Sequence, residues 1–245
     1  MSPADGPPLA VSFDYWETLV HADAANPMRE RQIAAFAAAL AEAGHERSRE
    51  RLVAAFAENW THFEAAWSAN TGQYTPADST DRIAALLDVP LDPTLRTRLI
   101  EAFDEAGRSA ALEVPPGAEA CLERLRRHGV RLAIVCDVGL TPSPVLRERL
   151  CGFGLLRWFD AWSFSDETGW FKPAPQAFLA ALDPLGVAPV DAAHVGDMRR
   201  TDVAGARAVG MRTIRYRGFS DDTEEGPEGD LVLDDLGALP ETLGL

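Results

Sequence analysis

The chain has 245 residues, 23 of them basic and 38 acidic, for a net charge of −15. That balance argues against a nucleic-acid partner or a polybasic membrane surface, both of which need surplus Lys and Arg. No apolar run approaches the ~20 residues of a spanning helix, no secretory signal opens the chain, and three cysteines do not make a disulfide scaffold, so a cytoplasmic protein is expected.

Leu9 to Phe13 is a short apolar run ending in Asp14, which reads as a buried strand that delivers a carboxylate at its carboxyl end. The period then becomes helical over Met28 to Gly44, Ser48 to Asn70, Ser79 to Asp88 and Pro93 to Glu113, the last opened by Asp92 as N-cap. Trp60, Phe63 and Trp67 fall on one stripe, which reads as core of this block or as a face that closes over an apolar substrate. Beyond Pro115-Pro116-Gly117, strand and helix alternate. Strands are predicted at Arg131 to Cys136, Trp158 to Phe164, Ala193 to Gly196, Arg212 to Tyr216 and Leu231 to Leu233. The intervening helices are predicted at Glu119 to His128, Ser143 to Phe153, Pro175 to Leu185 and Asp202 to Val209. Such alternation makes an α/β fold, a Rossmann-like parallel sheet with a helical-bundle domain inserted after the first strand. The expected division is 1–20 and 115–245 for the sheet core and 21–114 for the helical cap, with connections near Val20 to Asn26 and Glu113 to Gly117.

Phe219 to Asp235 holds eight acids and no base, which reads as a solvated loop. Among the 23 basic residues a single one, Lys172, is lysine.

Four features sit at predicted strand ends: Asp14-Tyr15-Trp16-Glu17-Thr18, Cys136-Asp137, Lys172-Pro173, and Gly196-Asp197 followed by Asp202. Parallel sheets bind ligands at their carboxyl edge. Carboxylates from different strand ends can share a hard cation, a lysine there can hold a dianion, and a threonine can donate to an anionic oxygen. Singly each feature is no more than a cap, a turn or a loop residue; their order is what carries information.

In that order, with a helical insertion after the first motif, the chain resembles the haloacid dehalogenase (HAD) superfamily over essentially its full length. The resemblance implies a hydrolase in which Asp14 is the nucleophile, Thr18 the first-motif hydroxyl and Lys172 the lysine that steadies nucleophile and transferring group. It implies Mg²⁺ held by Asp14, the Trp16 carbonyl, Asp197 and Asp202, and a small phosphorylated metabolite as substrate. Two positions depart from the phosphatase pattern. Trp16 stands where an aspartate usually acts as general acid and base, and indole cannot serve. Cys136 stands where a Ser or Thr usually meets phosphate, with Asp137 beside it and Thr141 as a replacement hydroxyl. Trp16, Cys136, Asp137 and Thr141 are thus the expected substrate contacts. The aromatic at position 16 resembles the dehalogenase branch, which needs no metal, so a 2-haloacid dehalogenase and a weakly active or non-catalytic binding protein are the alternatives. The retained Asp197 and Asp202 favour the phosphatase.

Overall fold

The computed structural model describes residues 6–22, 28–69 and 74–245. The extreme N-terminus and much of the expected connection at Val20 to Asn26 therefore lie outside the described residues. Two compact units divide the chain: Met1–His21, Leu112–Asp137 and Leu150–Leu245 form an α/β unit, and Ala22–Ala111 with Val138–Arg149 a helical one.

The α/β unit is built on strands β1 (Ala10–Phe13), β4 (Arg131–Cys136), β5 (Ala161–Phe164), β6 (Ala192–Gly196), β7 (Arg212–Tyr216) and β8 (Leu231–Leu233). They form one six-stranded sheet in the order β5-β4-β1-β6-β7-β8, with every described pairing parallel. The chain leaves β1 first towards β4 and β5 and later returns to β6 on the other side. That reversal next to β1 is where a doubly wound sheet opens its ligand crevice. β1, β4 and β6 are buried almost throughout, which is why they read as continuous apolar runs.

Helices α5 (Ala118–Arg127), α7 (Ser165–Thr168), α8 (Pro175–Leu182), α9 (Ala204–Val209) and α10 (Leu239–Thr242) surround the sheet. α8 and α9 pack together against β4, β5 and β7, and α5 packs on β4 with α10. Ala133, Val135, Phe178, Ala181, Leu182 and Ala206 form the heart of that core. α8 stops at Leu182 rather than Leu185, because Pro184 has no N–H to continue the ladder and the chain tightens into a 3₁₀ turn. The strand expected from Trp158 begins at Ala161; residues Leu156–Trp158 form a 3₁₀ turn, and the Asp160 carboxylate accepts the Leu132 N–H. The helix expected from Asp202 is a π-helical turn, Arg199–Val203, running into α9.

The helical unit contains α1 (Met28–Glu42), α2 (Arg49–Ala69), α3 (Pro76–Leu86) and α4 (Pro93–Arg108). Phe36, Phe56 and Phe103 meet with ring centroids 5.3–5.8 Å apart at its centre. The stripe Trp60, Phe63, Trp67 stacks along α2, but only Phe63 is buried. α3 starts a turn before the expected Ser79, because Thr75 and Asp78 form a reciprocal capping box ahead of Pro76. α4 ends at Arg108, where the Ser109 hydroxyl donates to the Glu105 carbonyl. Val138–Arg149, which includes most of α6 (Ser143–Gly152), belongs to this unit rather than with the sheet. Periodicity missed two short strands where the chain divides, β2 (His21–Ala22) paired with β3 (Leu112–Glu113), of which His21 and β3 are counted with the α/β unit. Leu140 joins the helical core, and Gly107 lies so close to Thr141 and Val145 that a Cβ would stand 2.6 Å from the Thr141 methyl.

The acidic stretch is not simply solvated. Arg215, 1% exposed, binds Asp221 at 2.6 Å and Glu228 at 2.5 and 3.0 Å; Arg199 and Arg207 hold Glu228 and Asp230, and Arg217 holds Asp234. Hydrogen bonds from Arg215 hold the Glu228 carboxyl down to about 2. A depressed carboxyl contributes stability that is present above its unfolded value (~4.3) and lost as pH falls towards the folded one. Glu228→Gln is therefore expected to lower Tm near neutrality, with the gap to wild type closing between about pH 5 and pH 2. A gap that stays constant over that range in thermal melts would contradict the ion pair.

Candidate active site

Asp14 follows β1 directly, and its N–H donates to the Val195 carbonyl of β6 at 2.8 Å. Asp197 follows β6 and Asp202 ends the polar part of the π-helical turn, so both approach the same edge. Carboxylate oxygens of Asp14, Asp197 and Asp202 lie within 4.8 Å of one another, all buried. Gly196 makes this approach possible, since a Cβ there would stand 2.3 Å from the Asp202 carboxyl carbon.

Among the described residues, Lys172 is the one ammonium that faces these acids. It is 2% exposed, and its Nζ lies 2.6 Å from Asp14 Oδ1 and 2.7 Å from Asp202 Oδ1. Burial pushes Asp14 up to about 7 against the pull of Lys172. Burial, with the charges of Asp202 and Asp14, pushes Asp197 up to about 9. Asp202 stays well below the usual carboxylate range, because Lys172 and His194 outweigh its burial. Three buried carboxylates facing one ammonium are short of positive charge. With Asp202, expected as a further ligand, already taken up by Lys172 and His194, Asp14 and Asp197 are the carboxylates left to offer oxygen, and such donors fit a hard divalent cation such as Mg²⁺.

The other expected residues fall into three groups. Thr18 lies on the nucleophile loop, fully buried, and its hydroxyl finds no hydrogen-bond partner among the described residues. Buried hydroxyls are rarely left unpaired, so this one stands out on the loop. Cys136 is buried at the end of β4; burial and the Asp14 charge push its thiol well up, and it stays protonated. Asp137 turns its Oδ1 onto the Lys172 backbone N–H at 2.9 Å, so it anchors the lysine loop as well as standing at the strand end. Thr141 is not among the residues the α/β unit brings together. It is buried in the helical unit with its hydroxyl 3.5 Å from Met28 Sδ.

Trp16 is half-buried, edge-on to Tyr15 at 4.9 Å. Glu17 next to it sits in the left-handed region (φ 56), a strained place for a side chain. Its carboxylate is engaged by His21 Nδ1 at 2.8 and 2.9 Å, and the His21 ring stacks on Phe219 at 4.7 Å. The Arg199 guanidinium pairs with Glu228 at 3.0 Å, and its backbone N–H donates to Asp222 Oδ2 at 2.7 Å.

Sequence reasoning missed two residues. His194 of β6 bonds Asp202 Oδ1 through Nε2 at 3.0 Å and Ser12 Oγ through Nδ1 at 2.8 Å, and all three side chains are buried. The available signal was a polar residue inside each of two otherwise apolar strands.

A family model described as haloacid dehalogenase-like hydrolase matches residues 9–210. The chain is 40% identical over 146 residues to a phosphoserine phosphatase of Thermus thermophilus, covering 59% of this chain and 56% of that protein. It is 32% identical over 197 residues to a ribulose-1,5-bisphosphate 5-phosphatase of Halopiger xanaduensis, covering 76% and 72%. The chain thus spans about half the length of the first of these relatives. A crystal structure of a 2-haloacid dehalogenase from Pseudomonas syringae pv. Tomato superposes with a TM-score of 0.71 over 96% of this chain and 97% of that one, at 24% identity, a likeness of fold alone.

Proposed function

Because the chain belongs to the haloacid dehalogenase-like hydrolases, we propose that it is a phosphatase that cleaves a small phosphate monoester through an aspartyl-phosphate on Asp14. The observation that carries this reading is the acidic triad Asp14, Asp197 and Asp202 around the buried Lys172. Halide displacement has no use for Asp197. Transfer of a phosphoryl dianion into three carboxylates does need further positive charge. The phosphatase names of relatives that match over 146 and 197 residues support the same reaction.

Asp14 attacks phosphorus, and the bond from phosphorus to the leaving oxygen breaks. Water then cleaves the acyl phosphate and restores the carboxylate. Lys172 fixes Asp14 by one oxygen and lends charge to the transferring group. Thr18 donates its unpaired hydroxyl to a phosphoryl oxygen, whereas the Cys136 thiol, a weak donor, already faces the Asp137 carbonyl at 3.6 Å. When bound, Mg²⁺, held by Asp14, Asp197 and the Trp16 carbonyl, supplies charge neutralisation at the phosphoryl oxygens. With Trp16 in place of an acid and Glu17 taken by His21, the leaving oxygen departs without a proton from this loop. The favoured substrates therefore carry an acidic leaving group, as acyl and anomeric phosphates do.

The test uses p-nitrophenyl phosphate and 2-chloropropionate, each with Mg²⁺ or EDTA. Phosphate release that EDTA abolishes is expected, with p-nitrophenyl phosphate turned over at least ~10²-fold faster than a simple alkyl phosphate, the scale of one general acid's contribution. Halide release insensitive to EDTA would establish the dehalogenase instead. Silence with both substrates from a folded protein would leave a binding protein.

A further inference from the structure

Asp202 has little left to offer a ligand. Its Oδ1 already receives Lys172 Nζ at 2.7 Å and His194 Nε2 at 3.0 Å. Its Oδ2 receives the Met198 N–H at 3.0 Å, with the Thr201 hydroxyl 3.4 Å away. A carboxylate offers about four lone-pair directions, and this one has a partner facing each. It is therefore suited to aim Lys172, and how well it aims depends on what holds it.

His194 of β6 holds it directly, and Ser12 of β1 holds that ring from behind. The carboxylate can only accept, so the Nε2 that faces it carries the proton. In the neutral ring Nδ1 then accepts, and the Ser12 hydroxyl 2.8 Å away donates to it. The ring is 1% exposed, packed edge-on against Phe178 at 5.0 Å, and shares its carboxylate oxygen with an ammonium.

Ser12 and His194 are direct partners in the β1–β6 register. Ser12 and Asp14 are two residues apart at the end of β1 and so face the same side. The hydrogen bonds therefore close a ring that begins and ends on one strand: Ser12, His194, Asp202, Lys172, Asp14. We propose that Ser12 and His194 are positioning residues for the reaction, fixing the Asp202 carboxylate so that the Lys172 ammonium is held on the nucleophile. In this role neither residue touches substrate. The proposal rests on the hydrolase reading for its kinetic consequence but not for its structural one.

Lys172 is the only lysine in the sequence, so protein labelled with ¹³C,¹⁵N-lysine carries one side-chain signal that reports its surroundings without any turnover. Phe at position 194 fills the ring volume without a donor, whereas Gln places an amide N–H near where Nε2 stands. His194→Phe is expected to shift the lysine Cε and Nζ signals and to lower kcat/KM by about 10- to 100-fold, the usual effect of losing a partner that orients a site group. His194→Gln is expected to return the signals close to wild type and to recover most of the activity. Ser12→Ala, the mildest change, should shift the signals in the same direction by less, and it carries the test should His194→Phe fail to fold by circular dichroism. Lysine signals that stay put in folded His194→Phe or Ser12→Ala would overturn the proposal. So would a loss of activity that Gln fails to restore. If the wild-type protein releases no phosphate at all, the functional reading fails while the lysine signals still decide the relay.

Discussion

Asp14→Asn is expected to lower turnover by at least ~10⁴-fold, the scale seen when a covalent nucleophile is removed, while the protein melts no lower than wild type. The amide keeps the shape of the carboxyl group but cannot attack phosphorus. Stability should move the other way. Asp14 is one of three buried acids around one lysine, and burial raises it to about 7. A carboxyl raised in the folded state contributes stability that is fully present below its unfolded value (~3.9) and lost as pH rises through the folded one. Above about pH 7 the metal-free wild type therefore carries an unfavourable charge that Asn removes, while Lys172 keeps Asp202 as partner. Melting both proteins in EDTA should show an advantage for Asp14→Asn that is larger at pH 8 than at pH 5. Wild-type turnover in Asp14→Asn would end the covalent mechanism. A large loss of Tm at pH 8 would show that Asp14 stabilises the fold as an anion.

Lys172→Arg keeps the charge and should still fail, by ~10³-fold or more in kcat/KM and with a lower Tm. The ammonium is a compact charge that here points at two carboxylate oxygens 2.6 and 2.7 Å away. Guanidinium is a planar fork that spreads the same charge over a wider footprint. At a position 2% exposed there is no solvent into which the larger group can swing. Overpacking a filled interior typically costs about 1–3 kcal/mol, which for a chain of this size is ~2–12 °C in Tm. Phosphatase assays and melts of the same preparation read both effects. Activity within tenfold of wild type would show that charge alone matters at this position.

Much of the site is legible in the order of the residues. Asp14, Asp137 and Asp197 each follow an apolar run, and apolar runs in alternation with helices make parallel strands whose carboxyl ends share one edge. The order of those acids, with Lys172 between them, then carries the family. Arg215 shows where such reading stops. Its acids, Asp221 and Glu228, were legible as a run of charge, yet nothing in a run of charge says that a buried guanidinium organises it. Thr141 shows the same limit from the other side: it stands four residues after Asp137 in sequence, but its surroundings are Gly107 and Met28.

The sequence by itself determined the sheet class, the helical insertion and the three acids and one lysine of the edge. These follow from the period of the apolar residues and from chain neighbours, interactions that span a few residues. Tertiary structure alone decided which polar groups face one another. Ser12 meets His194 across 182 positions only because β1 and β6 pair in that register, and a slip of one residue in β6 would turn His194 to the face away from Ser12. Burial then did the rest, since the same carboxyl group that would ionise freely in water is raised at Asp14 and Asp197 and lowered at Asp202 by the company it keeps in a dry interior.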